Sequence, residues 1–173
     1  FHVDPQLVAD AQKPSGVLVT IVDPDGERSF LTDRGANLAL LPSDMPVWLL
    51  EETRLVLVSG YSLFAEGPRR AVQYLVEEAR QRGIPIAIDA ASVGFLREVG
   101  TLTFLDWSRG ISTLFANSDE AAALSGTDDL NDQMIALGAS FERVIIKRGA
   151  RGAAVGDGRG VRVEQAAPFV TVV

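Results

Sequence analysis

The sequence predicts an α/β protein with a three-layer, doubly wound sheet that is mostly parallel, and with a small β-hairpin lid. From residue 37 onward, short apolar runs alternate with stretches of helical periodicity, which is typical of a parallel sheet with helices on both faces. Ahead of that region, two β-rich runs flank a Pro-Asp-Gly turn. We therefore predict a connecting segment at 1–15, a β lid at 16–36 and an α/β core at 37–173.

The lid is a predicted hairpin at 16–34 that turns at Asp25 and Gly26. Its first strand is apolar on both faces: Val17, Val19 and Ile21 lie on one, and Leu18 and Val22 lie beside Thr20 on the other. Such a strand needs cover on two sides. We expect one face to pack on the main body and the other on a ligand or a second subunit.

The core elements follow from periodicity and from glycine and proline signals. We predict strands at 55–59, 84–89, 111–116 and 143–147, and helices at 66–82, 93–99, from Asn117 onward and at 130–137. The longest helix has Pro68 in its first turn and stops at Gly83. After a glycine-rich run, two short antiparallel strands at 153–156 and 161–164 are expected at a sheet edge.

Composition excludes several functions. The chain has 173 residues, 47% hydrophobic and 23% charged, which is enough for one domain with a real core. A net charge of −7 argues against nucleic-acid binding. With no cysteine and the single His2, thiolate catalysis, disulfides and histidine clusters are ruled out. No apolar run is long enough for a membrane helix, so we expect no membrane partner. The absence of cysteine fits the cytoplasmic location that we expect.

Polar residues follow several of the predicted strands, at the edge where open parallel sheets bind ligands. Asn117 and Glu120 place an amide and a carboxylate one helical turn apart at the positive end of a helix. Their oxygens are suited to a hydrated magnesium ion that bridges nucleotide phosphates. The same spacing is that of an ordinary capping box, and the two roles are compatible.

The segment from Lys147 to Gly152 follows the next strand. Gly149 and Gly152 would let the backbone approach a nucleotide closely, and the cations would meet phosphates. The order of a Walker loop is missing. A glycine-shaped turn with a solvated basic face is the alternative interpretation.

Three further positions each have a functional and an ordinary interpretation. Asp89 is either a polar site group or a turn residue, and Gly60 either admits a ligand or allows a tight turn. Asn37 would place an amide against sugar hydroxyls or would belong to a glycine turn. Arg28 is by default a solvated hairpin side chain. No single position decides the function.

Taken in order, these motifs resemble the ribokinase-like (phosphofructokinase B type) carbohydrate kinases over residues 14–173. The family's lid entry, GER turn and GAN exit are matched by Ser15-Gly16, Gly26-Glu27-Arg28 and Gly35-Ala36-Asn37. Its serine-glycine-tyrosine turn, strand-end Asp and N-x-x-E motif are matched by Ser59-Gly60-Tyr61, Asp89, and Asn117 with Glu120. In its T-x-G-x-x-G loop, Lys147 stands where Thr is usual.

The resemblance implies a kinase that transfers the γ-phosphoryl group of ATP, with Mg²⁺, to a hydroxyl of a sugar or sugar-like molecule. Asn117 and Glu120 would serve the metal, Lys147, Gly149 and Gly152 would border the nucleotide, and Arg28, Asn37 and Gly60 would face the sugar. The resemblance also implies a homodimer through the lid. A non-catalytic nucleotide- or sugar-binding protein of the same fold and an unrelated doubly wound domain are the alternatives.

Two parts of the family pattern have no counterpart in the sequence. The DTxGAGD motif, with the catalytic base, is expected after the strand at 169–173, beyond Val173. The amino-terminal part of the family fold is also missing. We therefore expect an internal part of the family fold, incomplete at both ends, without a catalytic residue of its own and inactive alone.

Overall fold

The computed structural model describes residues 3–24, 26 and 28–169. Its strands are β1 Ser15–Val22, β2 Arg28–Gly35, β3 Val56–Ser59, β4 Ile86–Asp89, β5 Thr113–Asn117, β6 Arg143–Lys147, β7 Ala153–Asp157 and β8 Gly160–Gln165. Strands β3 to β8 form one sheet in chain order, with β3 to β6 parallel and the last two antiparallel. Strands β1 and β2 form a separate hairpin. The predicted fold class is confirmed.

The helices are α1 Glu66–Gln81, α2 Val93–Val99, α3 Thr101–Trp107, α4 Ser118–Ser125 and α5 Leu130–Leu137. All but α3 were expected. Helix α3 is separated from α2 only by Gly100, whose φ of 80° ends the first helix and starts the second. Short 3₁₀ turns at Ala36–Ala39, Pro42–Asp44, Val47–Glu51 and Gly60–Phe64 join the hairpin and β3 to the rest and were also not predicted.

One face of the six-stranded sheet forms the core. Alternate side chains of β3 to β7 are buried in one cluster with side chains of all five helices: Val56, Val58, Ile86, Ile88, Leu114, Ala116, Val144, Ile146 and Ala154. The opposite face is more open, since Leu57 is 65% exposed and Phe115 and Ile145 are half-buried. By strand register, Asp89, Asn117 and Lys147 lie on this more open face.

Helix α5 and the β7–β8 hairpin pack together too closely for side chains at Gly138 and Gly160. A Cβ on Gly138 would lie 2.1 Å from the Gly158 nitrogen, and one on Gly160 would lie 2.2 Å from Asn131 Oδ1. That amide oxygen also accepts the Val161 N–H at 3.1 Å. The glycine-rich run therefore supplies close packing here as well as turns.

The β1–β2 hairpin projects from the body. Val17 is 61% and Leu31 63% exposed, and every described residue of β1 is exposed. The prediction that one face packs on the main body is therefore wrong. Contacts occur at the base, where Arg34 donates to the Tyr61 carbonyl at 3.4 Å and lies 5.3 Å from the Phe95 ring.

Two predicted features fall on residues that the structure does not describe. Asp25 and Glu27 of the hairpin turn lie outside the described residues, although Gly26 is seen with a φ of 84°. The strand expected at 169–173 falls almost entirely on 170–173, which are likewise outside. Within the part of the chain that is described, no helix is long and apolar enough to cross a membrane.

Candidate functional site

The parallel strands end along one edge of the sheet with polar residues. Ser59 is paired with Asp89 across β3 and β4, and Asn117 with Lys147 across β5 and β6. The helix that follows β5 brings Glu120 to the same place. The structure therefore brings together the predicted metal residues, Lys147 and Asp89, as expected for carboxyl ends of adjacent parallel strands.

Asn117 and Glu120 form a reciprocal capping box. The Asn117 side-chain oxygen accepts the Glu120 N–H at 2.9 Å, and Glu120 Oε2 accepts the Asn117 N–H at 2.8 Å. Glu120 is only 3% exposed, so its carboxylate is held tightly. The ordinary interpretation of this spacing is thus confirmed, and it fixes the geometry that a metal role would need.

The charges around Glu120 oppose one another. Burial raises the pKa of the Glu120 carboxyl above its ordinary value, since the ionised form loses hydration. The hydrogen bond from the Asn117 N–H lowers the same pKa, Asp89 and Asp119 raise it, and Lys147 lowers it. Lys147 and Asp89 therefore act electrostatically on Glu120 from the neighbouring strand ends.

Lys147 crosses from the end of β6 to the end of β4. Its Nζ lies 2.6 Å from Asp89 Oδ2, while Asp89 Oδ1 accepts the Ala91 N–H at 3.1 Å. Sequence reasoning missed this ion pair. The sequence did contain a signal for it. Two strands that are separated in the sheet by one other strand end in residues of opposite charge.

The two predicted nucleotide glycines differ in their surroundings. Gly149 has a φ of 58° and open space where a Cβ would stand. Gly152 has a φ of 86°, and its Cβ would lie 1.9 Å from the Gln165 carbonyl oxygen. The backbone of Gly152 therefore lies closely against the end of β8. Arg148, immediately before Gly149, pairs with Glu164 of β8.

A small polar pocket of about 310 Å³ lies beside this loop. It is lined by Ser118 and Asp119 of α4, by Arg148 and Arg151, and by Gln133 of α5. Gln133 is buried and donates to the Thr127 carbonyl at 2.9 Å. Sequence reasoning missed this pocket because α5 contributes to it from a distant part of the chain.

A larger open cleft of about 950 Å³ lies between the hairpin, the segment at 6–10 and the turns at 36–46. Asn37 lines it, together with Phe30, Arg34 and Tyr61. Arg28 lies on the same face of β2 as Phe30 and Arg34, but nearer the tip and outside the lining. The predicted sugar-side residues are therefore only partly brought together.

Gly60 adjoins the cleft through its neighbour Tyr61, but it packs against protein. A Cβ there would lie 2.5 Å from the Asp89 carbonyl oxygen and 2.8 Å from that of Ala90. The tight-turn interpretation explains this glycine. It brings the ends of β3 and β4 closer than any side chain would allow.

The donor set at the edge suits a hydrated magnesium ion. Within the described part of the chain, no three acidic or histidine residues are grouped as metal ligands. Mg²⁺ usually keeps several waters and uses one or two carboxylates together with substrate phosphates. Glu120, with one carboxylate oxygen outside the capping box, and the Asn117 amide fit that requirement.

Comparison with known proteins identifies the family. The sequence profile of the pfkB family carbohydrate kinases matches residues 2–173, so the chain belongs to that family. No curated protein matches the chain. The match spans all of the described residues, including both the hairpin and the strand-end site.

Solved structures share the fold. An adenosine kinase from Sinorhizobium meliloti has a TM-score of 0.85 at 23% identity, covering 92% of this chain and 49% of that one. A probable sugar kinase protein from Rhizobium etli CFN 42 has a TM-score of 0.83 at 24% identity, with coverages of 91% and 48%. A putative Ribokinase II from E. coli, in complex with ATP and Mg²⁺, has a TM-score of 0.69 at 20% identity, with coverages of 86% and 49%. This chain thus spans about half the length of these relatives.

Proposed function

We propose that the protein acts as an ATP-dependent carbohydrate kinase that transfers the γ-phosphoryl group to a hydroxyl of a sugar or sugar-like molecule. The observation that carries the proposal is the convergence of Asn117, Glu120 and Lys147 at one sheet edge in a chain of the pfkB family. Phosphoryl transfer depends mainly on positioning and charge neutralisation. Asn117 and Glu120 are held by their capping box, and Lys147 is held by its ion pair with Asp89.

On the donor side, bound magnesium would neutralise charge on the phosphates of ATP. Asn117 and Glu120 would hold waters of that ion, and the capping box keeps both side chains in place without the ligand. Gly149, with open space above its backbone, would let the nucleotide approach the loop. Gly152 would serve the nucleotide indirectly, by shaping the turn.

On the acceptor side, the 950 Å³ cleft is the proposed sugar site. It adjoins the end of β3 through Tyr61, two strands from Asn117. The Asn37 amide would bind acceptor hydroxyls there. Gly60 would set the shape of the edge, and Arg28 would reach the acceptor only with a movement of the hairpin.

We also propose a cytoplasmic homodimer formed through the hairpin. The outer face of the hairpin, defined by Val17, Val19, Ile21 and Leu31, is apolar and more than half exposed. A second copy of the same strand pair would bury it. The absence of cysteine is compatible with a reducing compartment.

One observation favours a second candidate, a non-catalytic nucleotide- or sugar-binding protein. Asp89 is paired with Lys147, and Glu120 is held in its capping box. Neither carboxylate at this edge is placed as a base for a sugar hydroxyl. The kinase function would require a base other than these two carboxylates.

The test is ADP release by the full-length protein, with ATP and Mg²⁺, against pentoses, hexoses, keto-deoxy sugar acids and nucleosides. Turnover with one class would support the kinase and name its acceptor. A nucleotide-induced rise in melting temperature with no turnover would favour the binding protein. If the protein shows no turnover and nucleotide does not raise its melting temperature, both candidates are contradicted.

A further inference from the structure

The ion pair between Lys147 and Asp89 joins strands that do not touch each other. Strand β5 lies between β4 and β6, so the lysine stem reaches across Phe115 and Asn117 positions of that strand to meet the carboxylate. The side chains of the pair are 49% and 39% exposed. Exposed pairs of this kind contribute little to stability. The effect that remains is the orientation of the lysine.

The Asp89 carboxylate is itself held in place. Its second oxygen accepts the Ala91 N–H, and Ala91 has a φ of 75°, a left-handed conformation that a residue with a side chain rarely adopts. The close approach of Gly60 to the Asp89 and Ala90 carbonyls confines the same turn. The Asp89 side chain is therefore fixed by its own turn. Its ion pair with Lys147 fixes the position of the long lysine side chain.

The anchored ammonium keeps donors for a ligand. A lysine ammonium has three N–H groups, and Asp89 accepts through one oxygen. The head group stands at the carboxyl edge beside Asn117 and acts electrostatically on Glu120. This is the place where the proposed function puts nucleotide phosphates. A threonine at the same position, the usual residue in the family pattern, has no stem to reach Asp89.

We propose that Asp89 is a positioning residue, which holds the Lys147 ammonium at the strand edge so that it contacts phosphate oxygens of the nucleotide. This inference rests on the proposed function. It differs from that function because it assigns Asp89 to the lysine and to neither the metal nor the sugar.

The test is a double-mutant cycle in the full-length protein, with affinities measured by calorimetry for ATP, ADP and adenosine, without and with Mg²⁺. Asp89→Asn keeps an oxygen that can accept the Ala91 N–H while removing the charge that holds the lysine. Lys147→Gln removes the ammonium. Arg143→Gln, at the opposite end of β6, removes one positive charge away from the site and is the matched control.

We expect Lys147→Gln to weaken ATP and ADP binding about tenfold and to leave adenosine binding unchanged, because only the phosphates meet the ammonium. Asp89→Asn should weaken ATP and ADP binding about threefold when Lys147 is present, and should have no further effect in the Lys147→Gln background. The control should match the wild type.

Four results would overturn the proposal. Equal effects of Asp89→Asn in both backgrounds would mean that Asp89 acts without the lysine, and restriction of its effect to the measurements with Mg²⁺ would point to the metal. Tighter ATP binding by Asp89→Asn would mean that the aspartate competes with phosphate for the lysine. Failure of the wild type to bind any nucleotide would remove the proposed function along with the inference, whereas the other three results would leave that function standing.

Discussion

The strand-end site and the hairpin cleft are built in opposite ways. Glu120 is buried and held by two reciprocal hydrogen bonds, and Asp89 is fixed by its own turn. The hairpin, by contrast, exposes apolar residues on both faces, with Phe30 51% exposed beside the cleft. The core thus holds the proposed donor side in place, while the proposed acceptor side depends on an element that the core contacts only at its base. The proposed acceptor side can therefore change without disturbing the proposed donor side.

The largest expected effect is a loss of stability that differs between Gly149 and Gly152, the two glycines of the loop after β6. Gly152→Ala should lower the free energy of unfolding by about 3 kcal/mol, because its φ is positive and the new Cβ would collide with the Gln165 carbonyl. Gly149→Ala, with a positive φ and open space, should cost about 1 kcal/mol. Urea denaturation of both variants measures the difference. Equal losses would mean that the loop is not held against β8.

The next effect concerns the proposed metal role of Glu120. Glu120→Gln keeps an oxygen that can accept the Asn117 N–H but removes the charge, so turnover should fall about 100-fold, with a weaker response to Mg²⁺. Asp119→Asn, one residue earlier and exposed, makes the same chemical change as a control. Magnesium titration of ADP release is the measurement. An unchanged magnesium response in Glu120→Gln would reduce Glu120 to a capping residue.

The same variant tests the burial of Glu120 through pH. The pKa of this carboxyl is raised in the folded protein, so its stabilising contribution is fully present below its ordinary value of 4.5 and is lost as the pH rises through the folded value. Glutamine does not titrate. The stability of Glu120→Gln relative to the wild type should therefore increase as the pH rises above 4.5. Denaturation curves at several pH values measure this trend, and a constant difference would contradict it.

The smallest stability effect is expected in the hairpin, although its effect on assembly should be clear. Ile21→Lys should convert the proposed dimer to a monomer while changing the free energy of unfolding by less than about 0.5 kcal/mol, because Ile21 is already 52% exposed. Thr20→Lys, on the opposite face of β1, is the control and should remain dimeric. Light scattering at micromolar concentration measures both. A monomeric wild type would show that the outer face is not the interface.

The parts of the fold that the sequence predicted are those with strong local signals. Strands β3 to β6 are short apolar runs, and α1 has a long amphipathic period between Pro68 and Gly83. Helix α3 was not expected because TLTFLDW carries one fully buried residue, Phe104, and no clear period. The exposure of the hairpin was not predictable either. An apolar pattern predicts that the side chains are buried, but it does not indicate which part of the protein, ligand or second subunit buries them.

The sequence predicted which residues lie at the site but not which residues they contact. Asn117, Glu120 and Lys147 follow strands, and strand order alone brings them to one edge. Sequence spacing could not indicate that Gly152 faces Gln165, that Gly60 faces Asp89, or that Lys147 reaches Asp89. These contacts depend on register and on the path of loops between elements that are far apart in the chain. The roles assigned to the site residues remain predictions.

The backbone contact between α5 and the β7–β8 hairpin has a consequence for the loop that precedes β7. Gly138 meets Gly158, and Gly160 meets Asn131, with no room for a side chain at either glycine. The helix and the hairpin are therefore fixed relative to each other. Strand β7 begins one residue after Gly152 and cannot slide to absorb a change in loop length. A one-residue insertion there would leave a mismatch within the loop itself, so this loop resists lengthening.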